Sequence, residues 1–409
     1  MSLPTEPEFD IQEERITYNL EKYRAIFAGM TEMTVSNLAI IYLIRKYSIG
    51  AFEKGLITAS PMVGYFLSPL LKNIYEKLGL CFKTAASISV YLSALFFFLA
   101  AYSDQQIYIT LFVTAGIAFA ATCVNFMTAI YEDNYRSDRR GRLFGTTNSI
   151  RILSGAIFGG ISGWIISKDL EHAFYIFLAC GVSALVSGKL LAALPNSRRI
   201  QVGASKSWGG YKHIWNDIGF RKILIMWMLL GTGNLLLNAL RVDYLTNPKY
   251  HLGLGELEIA LLATTIPNLS RLISSIVWGR LFDRINFFIL RVGINVTFML
   301  AFFSFFFSSS VLGLALGAIL FGVAVSGGDV AWNLWTIRFA PKGLSSDYMS
   351  VHTSLTGLRG LIAPFLAFAL AEKYSIYFVL YVSLALTSIA SLQAIFDRDL
   401  RNMDKHHIK

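Results

Sequence analysis

The interval 195–222, PNSRRIQVGASKSWGGYKHIWNDIGFRK, is the longest stretch of this sequence without a sustained apolar run. It lies near the midpoint of the 409 residues, and six segments long enough to cross a bilayer can be drawn on each side of it. The sequence therefore predicts two halves, 23–194 and 223–396, joined by a soluble linker. Polar tails are predicted at 1–22 and 397–409.

The composition is typical of a membrane protein. Charged residues make up 15% of the chain and hydrophobic residues 55%, and the mean hydropathy is +0.53. An average soluble protein carries roughly a quarter charged residues. Because a membrane-spanning helix needs about 20 mainly apolar residues, twelve such helices fit within the chain and leave room for loops, but not for a large soluble domain.

The net charge of +10 predicts topology rather than a nucleic-acid partner. If both termini are placed in the cytoplasm, most lysines and arginines fall in segments on that side, which is the positive-inside bias of membrane proteins. We therefore expect a multi-pass protein of the cell (inner) membrane with both termini cytoplasmic.

The two halves look like copies of each other. Matching residues follow in the same order, two of the pairs at one constant offset and the third after a small insertion: Gly29 with Gly231, Tyr42 with Tyr244, and Arg151 with Arg359. Agreement in order across several segments indicates duplication, and two parallel six-helix repeats are an arrangement of secondary transporters. The symmetric positions of the two arginines favour a structural role as clamps between helices.

The turn after the eighth predicted span reads GRLFDRINFFILR, from Gly279 to Arg291. It resembles the signature of the major facilitator superfamily, Gly-x-Leu-x-Asp-Arg-x-Gly-Arg-Arg or Lys, with Asn286 in place of the second glycine. A degenerate first-half copy, KNIYEKLGLCFK, begins at Lys72, and NYRSDRRGRLFG from Asn134 is similar to a loop of many bacterial members. The resemblance implies an all-α integral membrane fold of twelve helices in two pseudo-twofold bundles of six.

The same resemblance implies a conformational latch at the cytoplasmic ends of the spans, formed by Gly279, Asp283, Arg284, Glu76 and Lys77. A carboxylate flanked by arginine can make charge-assisted bonds to neighbouring helix ends and hold one conformation closed. The alternative is that these charges only end the helices and reach the membrane interface.

The fifth predicted span contains GAIFGG, from Gly155 to Gly160, which resembles the antiporter motif of drug exporters in this superfamily with Ala156 in place of proline. The arginine that those exporters carry in their fourth helix has no counterpart in TLFVTAGIAFAATCVNF. The exporter interpretation is weaker for that reason.

Glu32 stands a third of the way into the first predicted span, 24–43. A charge at mid-bilayer costs at least about 2.5 kcal/mol, so such residues usually face a wet cavity or each other. Because the resemblance places the first helix against the central cavity, Glu32 is the leading candidate for a carboxyl that takes up and releases a proton. The alternative is a structural carboxyl held by arginine or backbone donors.

Asp329, in VSGGDVAWNLW of the tenth span, is the second candidate. Gly327 and Gly328 loosen the helix there and can expose backbone carbonyls. The side chains of Trp332 and Asn333 add aromatic surface and hydrogen bonding, a mixture that suits a polar organic solute. The alternative is a hinge with a paired aspartate.

Other polar residues fall inside the second half. Arg271 lies near mid-membrane, where it either binds an anionic group as a planar fork or pairs with a buried carboxylate. Asn234 and Asn238 share one face of the seventh span and are predicted to line the cavity. Arg241 and Asp243, near the outer end of that span, are predicted to form an extracellular gate pair.

No nucleotide-binding loop, metal-ligand cluster or nucleophile motif occurs, so the sequence predicts no enzyme, no cofactor and no metal. It predicts a secondary active transporter of a small polar or anionic organic solute that works by alternating access and is coupled to protons. Two alternatives stay open: a proton-linked exporter of amphipathic compounds, and a non-transporting membrane sensor on the same fold. The expected partners are a small-molecule substrate, protons and the lipid bilayer, with no nucleic acid, and the chain is expected to be a monomer.

Overall fold

The computed structural model describes residues 11–32, 39, 42–43, 46–47, 49, 51–195, 199–200, 209–254, 258–259, 261–397, 400 and 403–404. Within them lie twelve long helices. Those of the first half are α1 (Ile11–Glu32), α2 (Ala51–Lys77), α3 (Phe82–Ala101), α4 (Gln106–Asn134), α5 (Arg140–Lys168) and α6 (Ala173–Ala192). Those of the second half are α7 (Ile218–Thr246), α8 (Ile266–Arg284), α9 (Phe287–Phe307), α10 (Val311–Phe339), α11 (Ser345–Lys373) and α12 (Ile376–Phe396).

The two halves repeat one pattern of helix packing. In the first half α3 packs against α4 and α6, α2 against α4, and α1 against α5 and α6. In the second half α9 packs against α10 and α12, α8 against α10, and α7 against α11 and α12. Each pair in one half has its equivalent in the other, so the predicted fold of two six-helix bundles is confirmed.

The bundles meet along two seams, α2 with α11 and α5 with α8. Glycines let the backbones touch there, as in other close membrane-helix pairs. A methyl group on Gly357 of α11 would overlap the carbonyl of Met62 in α2, and one on Gly279 of α8 would overlap the carbonyl of Gly141 in α5. We call the end of the molecule that holds the linker and the α2–α3, α4–α5, α8–α9 and α10–α11 turns the linker end.

Nine of the described helices, α3 to α7 and α9 to α12, are long and apolar enough to cross a membrane. The other three carry more charge, such as Lys72 and Glu76 in α2 and Arg271 and Asp283 in α8. Lys72 and Glu76 are buried inside the protein. A low hydropathy in these helices therefore reflects faces turned towards other helices, not towards lipid.

The first helix begins earlier than the sequence predicted. It runs from Ile11, so the expected boundary between a tail and the first span at residue 22 falls inside α1. Glu14 and Glu21 are buried in this segment. The backbone N–H of Arg136 donates to Glu14 Oε2 at 2.9 Å, and such partners let acidic residues belong to the packed helix rather than to a solvated tail.

The described parts of the linker are docked on the protein. The N–H of Ile200 donates to the carbonyl of Leu80 in the α2–α3 turn at 2.9 Å. A single helical turn, Lys212–Asn216, precedes α7, and Asp217 caps α7 by accepting from the N–H of Phe220 at 2.9 Å. The second bundle thus begins at Ile218, inside the interval predicted as linker.

Candidate functional site

A cavity of about 410 Å³ lies between the two bundles. Helices α1 to α5 supply one wall and α7 to α11 the other. Much of the surface is aromatic, and the rings of Tyr65 in α2 and Trp332 in α10 meet across the seam with centroids 5.4 Å apart. A cavity of this volume and mixed lining suits a small organic molecule.

The charged part of the lining is strongly basic. Among the described residues it consists of five arginines and one aspartate: Arg24, Arg151, Arg271, Arg291, Arg359 and Asp329. Sequence reasoning placed Arg271 and Asp329 in the pathway and treated Arg151 and Arg359 as clamps. It assigned no role in the cavity to Arg24 or Arg291.

Arg24 has its counter-charge within the first bundle. Its Nε and Nη2 donate to the two carboxylate oxygens of Glu21 at 2.6 and 2.9 Å, which is the strong fork geometry of arginine and carboxylate. The hydroxyl of Tyr131 donates to the same carboxylate at 2.8 Å. In α5, Arg151 Nη2 donates to Asn148 Oδ1 at 2.5 Å.

Arg271 and Asp329 face each other across α8 and α10. Arg271 Nε donates to Asp329 Oδ2 at 2.8 Å, and both side chains are partly accessible from the cavity. Asn333 Nδ2 donates to the backbone carbonyl of Asp329 at 2.8 Å. Arg271 therefore pairs with a carboxylate, one of the two possibilities that the sequence left open, and it also lines the cavity; its binding of an anionic group stays a prediction.

Arg291 and Arg359 form a different arrangement around Trp227 of α7. The Arg291 guanidinium carbon lies 3.6 Å from the centroid of the Trp227 ring, and Arg359 Nη1 donates to the backbone carbonyl of Trp227 at 2.7 Å. Arg291 is 0% exposed. Among the described residues, neither arginine forms an ion pair with a carboxylate.

The remaining pathway predictions fall in several places. Asn234, Trp332 and Asn333 line the cavity. Asn238 is exposed and is not part of this lining. Glu32 ends α1, but its side chain lies outside the described residues, so its role stays a prediction.

The predicted outer gate pair is not formed in this structure. The Arg241 guanidinium carbon lies 3.8 Å from the ring centroid of Phe321, and its Nη2 donates to the Leu262 carbonyl at 3.4 Å. Among the described residues, the Asp243 carboxylate has an ion pair with Lys249, whose Nζ lies 4.0 Å away. Residues two apart on a helix do not face each other, so this pairing was wrong for the conformation seen here.

Asp283 has the geometry that the latch hypothesis requires. Its two carboxylate oxygens accept from the backbone N–H groups of Gly141 and Arg142, at 2.6 and 2.8 Å, at the start of α5. Free N–H groups at a helix N-terminus favour a carboxylate, and Gly279 allows the close approach of α8. Arg284 is exposed and has no ion pair among the described residues. A role in conformational change stays a prediction.

The first-half copy of the latch is built differently. Glu76 is buried and Lys77 is exposed. Lys72, which replaces the signature glycine, forms an ion pair with Asp347 at the start of α11. The second seam is therefore closed by a lysine on α2 and a carboxylate on α11, which the sequence pattern did not predict.

A third contact at the linker end involves Glu132 of α4. Its carboxylate accepts from Ser345 Oγ at 2.6 Å and from the Gly343 N–H at 3.2 Å. The hydrogen bonds and ion pairs between the bundles that the described residues show all lie between mid-helix and the linker end. These contacts join the bundles on that side of the cavity.

A sequence profile of the Major Facilitator Superfamily matches residues 25–364, which include every charged residue of the cavity lining except Arg24. The chain belongs to the Major Facilitator Superfamily. The family and the structures below indicate a multi-pass membrane transporter rather than an enzyme.

Solved structures with the same fold include three transporters. The transporter FucP in the outward conformation has a TM-score of 0.75 and 13% identity over 94% of this chain and 99% of that chain. The human organic anion transporter MFSD10 has a TM-score of 0.72 and 13% identity over 93% of this chain and 99% of that chain. The proton:xylose symporter XylE bound to 6-bromo-6-deoxy-D-glucose has a TM-score of 0.71 and 12% identity over 94% of this chain and 95% of that chain. A comparison with curated proteins finds no match.

Proposed function

We propose that the chain carries a small organic anion through the cavity and across the cell membrane together with a proton. The observation that supports an anion is the charge of the lining, where five arginines stand against one aspartate among the described residues. The carboxylate of Glu21, which is not part of the lining, compensates the charge of Arg24. The other four arginines of the lining still outnumber its one aspartate. Desolvated cations attract an anionic solute and disfavour a cationic one.

The names of two structural neighbours support this proposal in part. XylE is a proton:xylose symporter and MFSD10 an organic anion transporter, so solutes of both classes are carried on this fold. The arginines of this chain favour the anion over the sugar. The aromatic residues of the lining favour an anion with an apolar or ring-shaped body.

The ion pair of Arg271 and Asp329 supports coupling to a proton. An anion that enters the cavity competes with Asp329 for the guanidinium of Arg271. When the anion displaces it, the carboxylate is left without its cation in a poorly hydrated site, and a proton from water neutralises it. Anion and proton therefore load together, and Arg271 and Asp329 pair again after both have left, which completes a symport cycle.

The contacts at the linker end support one direction of access. With the positive-inside orientation, the linker end faces the cytoplasm, so the arrangement seen here receives solute from outside. Opening towards the cytoplasm requires the contacts of Asp283, Lys72 and Glu132 to separate while the bundles rotate about the cavity.

The test is uptake by the purified protein in liposomes that contain a pH-sensitive dye. Short carboxylates, aryl carboxylates and phosphate esters are added in parallel with neutral sugars, and the dye reports protons that enter with a solute. We expect anions, and not sugars, to acidify the lumen. Asp329→Asn should abolish accumulation driven by a pH gradient but retain solute exchange, because the proton site is lost while Arg271 stays available.

Asp104→Asn is the matched control, since Asp104 is an exposed carboxylate in the α3–α4 turn outside the cavity. Glu32→Gln is tested alongside as the rival proton site. Gradient-driven uptake that survives in Asp329→Asn and disappears in Glu32→Gln would move coupling to Glu32. Flux of sugars without anions, or no flux of any solute, would contradict the proposal, and the second result would favour the sensor alternative.

A further inference from the structure

Two arginines in the cavity wall have no carboxylate partner among the described residues. Arg291 lies one turn inside α9 with Nε, Nη1 and Nη2 all buried, and none of the three donates to an acceptor among the described residues. Arg359 lies at the middle of α11, and its Nε likewise has no acceptor. We call Arg291 and Arg359 together the arginine clamp.

The clamp is held at one place by Trp227. The Arg291 guanidinium stacks on the indole ring at 3.6 Å, and Arg359 Nη1 donates to the backbone carbonyl of the same residue at 2.7 Å. Gly231, one turn further along α7, leaves room for the Arg359 guanidinium, which a methyl group there would overlap. Two helices therefore present their cations to the same turn of α7. Both residues border the cavity, and the Arg291 nitrogens are buried just behind its surface in this structure.

The surroundings leave this charge unsatisfied. His352, two turns before Arg359 on the same face of α11, is 0% exposed with its ring 5.2 Å from Trp227 and 5.3 Å from Trp332. This aromatic packing buries His352 beside the clamp. Each buried ion costs several kcal/mol unless an opposite charge compensates it, so the clamp is complete only with an anion bound from the cavity.

We propose that the arginine clamp binds the doubly charged oxyanion head of the transported solute, a phosphate monoester or a chemically similar group, with its body lying along Trp332 and Phe298. This step rests on the proposed function, because it names the class of anion that occupies the cavity. Two cations without carboxylate partners match a charge of minus two. The free N–H groups of Arg291, together with Nε of Arg359, are more donors than the two oxygens of one carboxylate can satisfy, whereas a phosphate offers three terminal oxygens.

Thr356 supports the same assignment. Its hydroxyl lines the cavity three residues before Arg359, on the same face of α11, and has no hydrogen-bond partner among the described residues. A phosphate held by the two guanidinium groups provides an acceptor for it. Arg271 is not one of the two clamp cations, since Asp329 compensates it in this structure, and it becomes a further donor to the bound anion once that anion has displaced Asp329.

The experiment measures binding to the full-length purified protein without transport. Unfolding temperature is followed against inorganic phosphate, phenyl phosphate, acetate and benzoate at constant ionic strength. We expect phenyl phosphate to raise it most, inorganic phosphate to raise it, and acetate and benzoate to have little effect. Arg291→Gln and Arg359→Gln should each weaken the affinity for phenyl phosphate about 10- to 100-fold, the usual loss for a charge-assisted hydrogen bond.

Arg241→Gln is the matched control. Arg241 is also buried, stacked on an aromatic ring and without an ion pair among the described residues, but it does not line the cavity. Its replacement should leave phosphate binding unchanged. If one clamp variant does not fold, the other variant still tests the binding site, and the comparison of phenyl phosphate with benzoate in the unmodified protein still tests the preference for a doubly charged group.

Equal stabilisation by benzoate and phenyl phosphate would contradict the preference for a doubly charged group. Phosphate binding that persists in both clamp variants would show that Arg291 and Arg359 do not form the binding site. A short-chain phosphatidate is titrated as a lipid that carries the same group, and stabilisation by it alone would overturn the assignment to a water-soluble solute. Because binding is read without flux, a protein that binds phenyl phosphate but carries nothing would support the clamp and contradict only the proposed transport.

Discussion

The two bundles pack their helices in the same way but treat their buried arginines differently. In the first bundle, Arg24 forms an ion pair with the Glu21 carboxylate, and the Tyr131 hydroxyl donates to the same carboxylate. In the second bundle, Arg291 and Arg359 rest on Trp227 and have no carboxylate among the described residues. A duplicated fold has therefore kept its backbone symmetry while the charge has become asymmetric.

This difference indicates two roles for the buried arginines, one in stabilising the fold and one in binding a ligand. A buried charge that the protein itself compensates serves the fold, because removing either partner leaves the other one stranded. A buried charge that the protein leaves uncompensated destabilises the empty state and becomes favourable only when a ligand arrives. In the first bundle the protein itself compensates Arg24, so we expect the second bundle to be the wall that recognises the anion.

The largest effect should come from breaking the compensated pair. Glu21→Gln leaves Arg24 buried without a counter-charge, and the loss of one partner from such a pair costs about 3–5 kcal/mol. Arg291→Met removes an uncompensated cation and keeps an apolar side chain of similar length, so the ligand-free protein should be as stable as the unmodified one or more stable. Thermal unfolding of both variants in detergent, without added anion, measures the contrast.

Destabilisation of the ligand-free protein by Arg291→Met as large as that by Glu21→Gln would show that Arg291 has a structural partner, and the asymmetry between the bundles would disappear. Lys168→Gln serves as control, since Lys168 ends α5 outside the cavity.

The paired glycines should give a smaller and more selective effect. A methyl group on Gly29 of α1 would overlap the backbone carbonyl of Arg151, which can move only with α5, whereas one on Gly231 would overlap only the flexible end of Arg359. Overpacking of this kind typically costs about 1–3 kcal/mol. We therefore expect Gly29→Ala to lower the unfolding temperature, and Gly231→Ala to lower it less while weakening phenyl phosphate binding as Arg359→Gln does.

Gly163→Ala is the control for both, because no atom lies near the added methyl group there. A loss of stability in Gly231→Ala that matches Gly29→Ala, with binding intact, would mean that the two positions are equivalent after all.

Much of the fold could be predicted from the sequence because its signals are repeated. Hydropathy found the spans, and the shared order of Gly29 with Gly231 and Arg151 with Arg359 found the two halves. The start of α1 was missed because Glu14 and Glu21 suggest a solvated tail until their partners in α4 and the α4–α5 turn are known.

The site was predicted less completely because pairing between distant helices leaves no local pattern. Asp329 and Arg271 stood out as charges inside apolar segments, and both line the cavity. Arg291 was named only as the last residue of the segment that carries the superfamily-like signature, and no role in the cavity was predicted for it. Whether an arginine has a carboxylate partner depends on contacts between helices far apart in the chain, so the sequence could not separate Arg24 from Arg291.

The smallest effect concerns the linker, whose docked turn joins the second bundle rather than the first. The His213 ring stacks on Tyr348 of α11 at 5.0 Å, and its Nε2 lies 4.0 Å from Asp347 Oδ2. Burial lowers the pKa of His213 from its usual 6.5, Lys212 and Lys72 lower it further, and Asp217 raises it. The docked state therefore binds the proton more weakly than the free linker, and this contribution to docking is present above pH 6.5 and is lost as the pH falls through the lowered pKa.

Hydrogen exchange at the start of α11 should accordingly speed up between about pH 7.5 and 5.5 relative to the start of α5, and His213→Gln should remove that difference. Equal acceleration in both helices, or a difference that persists in His213→Gln, would show that the linker does not depend on this histidine for its attachment to the second bundle.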